Sequence, residues 1–274
     1  MEPSLEKLLK AFVHSERTIT LLTGAGISAE SGIPTFRGPE GYWTIGSEEH
    51  HPQEMATYRM FRKNPNEVWK WYLYRRSVCA RAEPNPGHLA IAGLERRFGG
   101  RFHLVTQNVD NLHLRAGNTP DRTFQIHGNI FWMRCAEECT EGFTPVPSVF
   151  DHWTRDRELA PEDADRLRCP ACGGPARPHV LWFDEVYNEA FYRLTSTLNV
   201  ARSTDLLIVA GTSGTTNLPN KVAWEVSRRH GAVIVDINVE ANPFAALASR
   251  QGGFAVKGAS GTVLPEILSL FEAA

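Results

Sequence analysis

The chain has 274 residues, enough for one large domain or a domain with an insertion, and ample for a hydrophobic core. Its 29 Lys and Arg nearly balance 31 Asp and Glu, giving a formal net charge of −2 and a pI near 6.6, which argues against a nucleic-acid tract or a polybasic membrane anchor. No apolar stretch approaches the roughly 20 residues that cross a bilayer, and MEPSLEKLLK lacks a secretory core, so the expectation is a cytoplasmic protein with no nucleic-acid or membrane partner.

Ser4 to Val13 sets Leu5, Leu8, Leu9 and Phe12 on one face and predicts an amphipathic helix. Thr18 to Leu22 reads as a buried strand, followed by a glycine turn in which Gly24 and Gly26 are expected to offer amide N–H groups to an anion such as a dinucleotide pyrophosphate. Small residues also occur wherever an open sheet turns from strand to helix, so the glycines alone leave both readings open. Pro39 to Ser47 reads as a cofactor loop or lid. Met55 to Arg81 predicts two helices broken at Asn64-Pro65, and His88 to Phe98 a third. Phe102 to Thr106 is a strand ending in Gln107-Asn108-Val109-Asp110, where the strand ends of a parallel sheet gather ligands. Further on, Pro178 to Glu185 has strand character and Tyr187 to Ala201 reads as one helix. Asp205 to Ala210 is a strand opening into Gly211-Thr212-Ser213. A helix from Lys221 to His230, strands at Ala232 to Ile237 and Phe254 to Lys257, and a helix from Val263 to Phe271 complete the chain. The alternation predicts an α/β fold with a doubly wound parallel sheet.

Between Cys135 and Cys172 the chain turns rich in Pro, Glu, Asp and Arg, marking a small inserted module. Cys135-x-x-x-Cys139 and Cys169-x-x-Cys172 have the local spacing of two metal knuckles, and four thiolates suit zinc in a closed, structural site. Cys79 is left over as a core thiol.

GAGISAESGIPTFRG, QNVD at 107 to 110 and QIHGN at 125 to 129 together resemble the sirtuins, the NAD-dependent protein lysine deacylases, over residues 18 to 270. The resemblance implies a Rossmann-like NAD-binding domain (1–38, 81–127 and 180–274), a cofactor loop and helical insertion (39–80) and a zinc-binding module (128–179). It makes His127 the general base toward a ribose hydroxyl, a task that suits imidazole. Asn108 and Asp110 then serve the catalytic centre, Asp110 and the Val109 amide the nicotinamide carboxamide, and Gln107 the ribose. The NAD set is completed by Gly24, Ala25, Gly26, Ile27, Thr35, Phe36, Arg37, Trp43, Gly211, Thr212, Ser213, Asn238, Glu240 and Ser260. An acidic Glu240 suits a ribose diol and repels a 2′-phosphate, favouring NAD over NADP. In the implied reaction nicotinamide leaves first, His127 then acts on the ribose hydroxyl, and free lysine and acyl-ADP-ribose result.

The resemblance also implies an acylated lysine peptide laid as a strand between Val180 to Glu185 and Asn217 to Pro219, with Val180, Phe183 and Glu185 as contacts. Asp184 stands where the family usually has glycine. Tyr72 and Arg75, three apart on a predicted helix, resemble the Tyr-x-x-Arg of class III sirtuins, whose guanidinium reads the carboxylate of succinyl, malonyl or glutaryl lysine. An NADase or mono-ADP-ribosyltransferase using the same pocket, and a non-catalytic NAD-sensing scaffold, are the alternatives. Intact His127 and QNVD weigh against the scaffold. The sequence leaves the oligomeric state open.

Overall fold

In the computed structural model, which describes residues 1–35 and 52–273, the apolar runs assemble side by side. Ile19–Thr23 (β1), Phe102–Thr106 (β2), Thr123–Gln125 (β3), Leu206–Ala210 (β7), Val233–Asn238 (β8) and Phe254–Lys257 (β9) form a sheet in the order β3-β2-β1-β7-β8-β9. Every neighbouring pair is parallel. Strands covered on both faces become continuously apolar, and β1 and β7 are buried at every residue.

Successive side chains of these strands face opposite sides. Leu21, Leu206 and Ile208 pack under Pro3–Val13 (α1), Pro86–Phe98 (α6) and Ser260–Glu272 (α13), whereas Leu22, Leu207 and Val209 pack under Leu194–Ser203 (α10), Asn217–Ser227 (α11) and Pro243–Arg250 (α12). The chain runs outward from β1 through β2 to β3 and returns on the far side of β1 as β7. The crevice at the carboxyl ends of β1 and β7 is therefore the switch point where such sheets bind ligands.

Gly128–Cys135 (β4), Phe143–Pro145 (β5) and Ala176–Val180 (β6) make a small antiparallel sheet in the order β5-β4-β6. Pro52–Met55 (α3), Tyr58–Lys63 (α4) and Pro65–Arg81 (α5) pack on it through an aromatic core that includes Phe61, Trp69, Tyr72, Trp153 and Trp182. The Trp69 indole N–H donates to the Ala176 carbonyl at 3.0 Å and fixes α5 to β6.

Several expectations change. The strand expected over Pro178 to Glu185 belongs to the small sheet and ends at Val180, because the Glu185 carboxylate folds back to accept the Trp182 N–H at 2.9 Å. The helix expected over Tyr187 to Ala201 is two, Glu189–Tyr192 (α9) and α10, separated by Arg193 at φ 53°. The Glu189 carboxylate accepts the Thr195 and Ser196 N–H groups at 2.6 and 3.0 Å and so caps the second. Asn217 to Pro219 is not extended but the first turn of α11, where proline costs no hydrogen bond. Helix α12 escaped the sequence reading, although Asn242 capping Phe244 and Ala245, with Pro243 following, is a helix-start signal.

Candidate active site

The loops after β1 and β7 interlock at the switch point. The Gly24 N–H donates to the Ala210 carbonyl at 3.2 Å and the Gly26 N–H to the Gly211 carbonyl at 2.8 Å. These amides are therefore spent inside the protein, and the glycines serve close approach instead. A Cβ on Gly24 would stand 2.6 Å from Thr212 Cβ, and one on Gly26 2.8 Å from Gly211 Cα. The floor of the crevice is thus built without side chains. Ala25 begins the short helix Ala25–Ala29 (α2), and Ile27 is buried in the core, which leaves only its backbone to face a ligand. Thr35 is half-buried, and Ser213 is exposed beside Thr215. Phe36, Arg37, Trp43 and the expected loop at Pro39 to Ser47 lie outside the described residues.

Strand β2 delivers Gln107, Asn108, Val109 and Asp110 into this crevice. The Gln107 side chain donates to the Thr23 carbonyl and Thr212 Oγ1 at 3.2 and 2.9 Å and accepts from Thr216 Oγ1 at 2.9 Å. It is a strut between loops, with little left for a ribose. Asp110 is buried, which pushes its carboxyl above the usual range, and it accepts Ser28 Oγ at 2.6 Å and the Leu112 N–H at 2.9 Å. A carboxylate offers about four acceptor sites, so capacity remains for a ligand amide. Asn108 donates to the same Ser28 hydroxyl at 2.9 Å. The Val109 carbonyl takes the Ile130 N–H at 2.9 Å and ties the segment to β4.

Sequence reasoning missed the second layer. His88 Nδ1 faces the Asn85 N–H at 3.4 Å, so its proton sits on Nε2, 3.4 Å from Ser28 Oγ. The His113 ring meets His88 edge-on at 4.8 Å, with its Nε2 3.0 Å from Thr23 Oγ1. Burial drives the His88 imidazole down to about 4, and His113 well below its ordinary range. Both rings are neutral spacers under the QNVD segment.

His127 stands between β3 and β4 with Nδ1 3.0 Å from the Gln107 carbonyl and Nε2 2.8 Å from the Tyr187 hydroxyl. A carbonyl only accepts, so Nδ1 carries the proton and Nε2 presents its lone pair. Burial lowers this imidazole to about 4, opposed by the Gln107 carbonyl. At neutral pH it is an unprotonated base.

At the end of β8, Asn238 donates to Asp236, and Glu240 is exposed. Ser260 is buried at the start of α13, whose Gly261 N–H donates to Glu30 at 2.8 Å. That amide is therefore committed to the Glu30 carboxylate.

The four cysteines of the module converge, with all Sγ atoms within 4.8 Å of one another. Cys135 to Cys172 is 3.7 Å and Cys139 to Cys169 3.6 Å. Tetrahedral Zn–S bonds of about 2.3 Å require S···S edges of about 3.8 Å. The extra residue of the first knuckle is absorbed by Glu138 at φ 50°, which turns Cys139 back to the cluster.

The chain is 38% identical over 271 residues to an NAD-dependent protein deacylase of Leptospira interrogans, covering 95% of this chain and 97% of the relative. It is 39% identical over 266 residues to the mitochondrial NAD-dependent protein deacylase sirtuin-5 of Canis lupus familiaris, covering 93% and 82%. A solved Sir2 homologue in complex with NAD superposes with a TM-score of 0.79 at 34% identity, covering 98% of this chain and 94% of that one. The model of the Sir2 family matches residues 24–217. The chain belongs to the Sir2 family. Its residues fit what the family uses. A side-chain-free floor lies under the polar ends of neighbouring strands, as a dinucleotide requires, and the donor set of four thiolates is that of structural zinc.

Among the residues expected to meet the substrate of this sirtuin, Tyr72 is buried and its oxygen accepts the Trp182 indole N–H at 2.8 Å. Burial pushes the phenol up to about 12, so it keeps its own hydrogen to donate. The Arg75 guanidinium is buried 4.4 Å from the Trp71 ring centroid and 5.6 Å from that of Tyr72. Helix α5 thus brings the predicted pair together. Val180 closes β6 opposite Gly128, and the next residue, Leu181, donates its N–H to the His127 carbonyl at 3.0 Å. Phe183 is exposed, with its N–H donated to Ala56 at 3.0 Å. Glu185 is not free to read a peptide: Arg177 grips both its oxygens, and Arg134 lies 3.6 Å away. The departure at Asp184 has a local cause, since its carboxylate accepts the Tyr58 and Arg59 N–H groups at 2.7 and 3.0 Å and caps α4.

Proposed function

We propose that this sirtuin, an NAD-dependent protein deacylase, removes from lysine side chains acyl groups that end in a carboxylate, succinyl, malonyl and glutaryl, and acetyl more slowly. The observation that carries the preference is the buried pair of donors on one face of α5, Arg75 and the Tyr72 hydroxyl, whose remaining valence is fixed by Trp182. A guanidinium forks onto a carboxylate, and a phenol adds a second hydrogen bond. The names of the Leptospira and canine relatives agree with a deacylase. Bound NAD supplies a ribose whose bond to nicotinamide is broken. His127 would take a proton at Nε2, Asp110 would accept the carboxamide N–H, and Asn108 would orient the ribose face. The products would be nicotinamide, free lysine and O-acyl-ADP-ribose. Four cysteines in a zinc set, rather than in disulfides, support a reducing, cytoplasmic setting.

Side-by-side kinetics on acetyl and succinyl versions of one lysine peptide with NAD test the reading. The Arg75→Met variant should lose at least about 100-fold in kcat/KM on succinyl-lysine, as expected for a buried charged hydrogen bond, and far less on acetyl-lysine. Equal losses on both substrates reject carboxylate reading.

A further inference from the structure

The phenol of Tyr187 stands at the one atom of His127 that a base must use. With the Nδ1 proton committed to Gln107, the neutral ring has a single lone pair in its plane, on Nε2, and the Tyr187 hydroxyl occupies it at 2.8 Å. Nothing about the phenol suggests an easy exit. Its side chain is half-buried, and its hydroxyl is held by the His127 ring. Its ring lies 5.8 Å from that of His127 and packs against the apolar cluster of Leu198, Leu218 and Val222. Gln107, the other anchor, is itself locked by Thr23, Thr212 and Thr216. The result is a fixed row: carbonyl, imidazole, phenol.

We infer that Tyr187 is a second catalytic residue, through which His127 receives its proton. This rests on the deacylase reading above. In the step proposed, the Tyr187 O–H bond breaks as an N–H bond forms at Nε2, and the phenol oxygen takes the proton of the substrate hydroxyl on a lone pair. The tyrosine ends neutral, His127 ends as imidazolium, and the charge left on the substrate oxygen is the one a base must create there. Both transfers have to be concerted, because a free tyrosinate in this partly buried position is disfavoured. Packing of the phenol ring on the cluster that holds Leu218 also sets the base beside α11, whose first turn was expected to border the peptide.

The test is Tyr187→Phe, which keeps the ring and its packing. In the ligand-free protein, the ¹⁵N resonances of the His127 imidazole should move at Nε2 and hold at Nδ1, reporting loss of one donor and retention of the tautomer. With NAD and the succinyl-lysine peptide, deacylation kcat should fall at least about 100-fold, in the range of a lost acid–base group. Exchange of labelled nicotinamide into NAD, which precedes the step that needs a base, should stay within about twofold. Unchanged imidazole resonances would overturn the inference, as would retained or raised kcat, which makes the phenol only a cover. Loss of exchange together with deacylation would also overturn it, by making the role structural. A wild-type protein that does not deacylate with NAD at all rejects the deacylase reading instead, and the ligand-free spectra tell the two failures apart.

Discussion

His127 sits between an acceptor and a donor, and that pair decides which of its nitrogens can act as a base. Because Nδ1 must donate to Gln107, protonation at Nε2 is the only change of charge open to the ring. His127→Tyr removes the base while leaving an aromatic ring among partly buried neighbours. Deacylation should fall by about 10² to 10⁴-fold, the usual worth of a general base, with the midpoint of thermal unfolding little changed. Turnover assays paired with circular dichroism melts check this, and wild-type turnover would remove the histidine from its role. His127 and the QNVD residues were legible because they stand in motifs. Ser28, His88 and His113 were not, since a serine early in a helix and a histidine on an apolar face look like ordinary core and cap residues until the fold brings them under Asp110. Tyr187 carried no signal because its partner lies sixty positions away in sequence.

At the scale of elements, local chemistry written in contiguous residues was readable and chemistry supplied from a distance was not. Strands β2 and β9 fall where apolar runs and turn residues place them, and Asn64-Pro65 separates α4 from α5. The start of α4 shows the other case. Its first turn is capped by Thr57, which accepts the Met60 N–H at 3.1 Å, and also by Asp184, more than a hundred residues on. That distant carboxylate pins the Trp182 to Glu185 turn, whose Trp182 donates to Tyr72, to the start of α4. Removing a capping side chain typically costs about 1 kcal/mol, so Asp184→Ala should lower stability by about that amount in urea titrations, with an unchanged slope against denaturant. Asp184→Asn should recover most of the loss, because an amide oxygen caps nearly as well. If alanine and asparagine behave alike, the cap is not what the aspartate supplies.

Across the molecule, burial of neutral histidines links fold stability to acidity. Burial drives His88 and His127 down to about 4, and drives His179 to about 3 with help from Arg134 and Arg177. In the unfolded chain each takes up a proton near its ordinary value of about 6.5. Between that pH and the folded value the unfolded state therefore holds more protons, and stability rises with pH. The stabilisation is fully present above about pH 6.5 and is lost as the pH falls toward 4, with a slope of up to about 1.4 kcal/mol per pH unit for each such histidine. Melting temperature should accordingly drop steadily through this window. Acid also protonates zinc-bound thiolates and releases the metal, so the histidine contribution needs a variant of its own. His179 provides it. Its ring is stacked between Phe143 at 4.5 Å and Tyr192 at 5.8 Å, and its Nδ1 is buried without a partner, an arrangement phenylalanine can reproduce. His179→Phe retains all four cysteines but has no proton to gain. Its melting temperature should match or exceed the wild-type value at pH 5 and fall less steeply between pH 6.5 and 4.5. Parallel curves for the two proteins would assign the acid sensitivity to the zinc module instead.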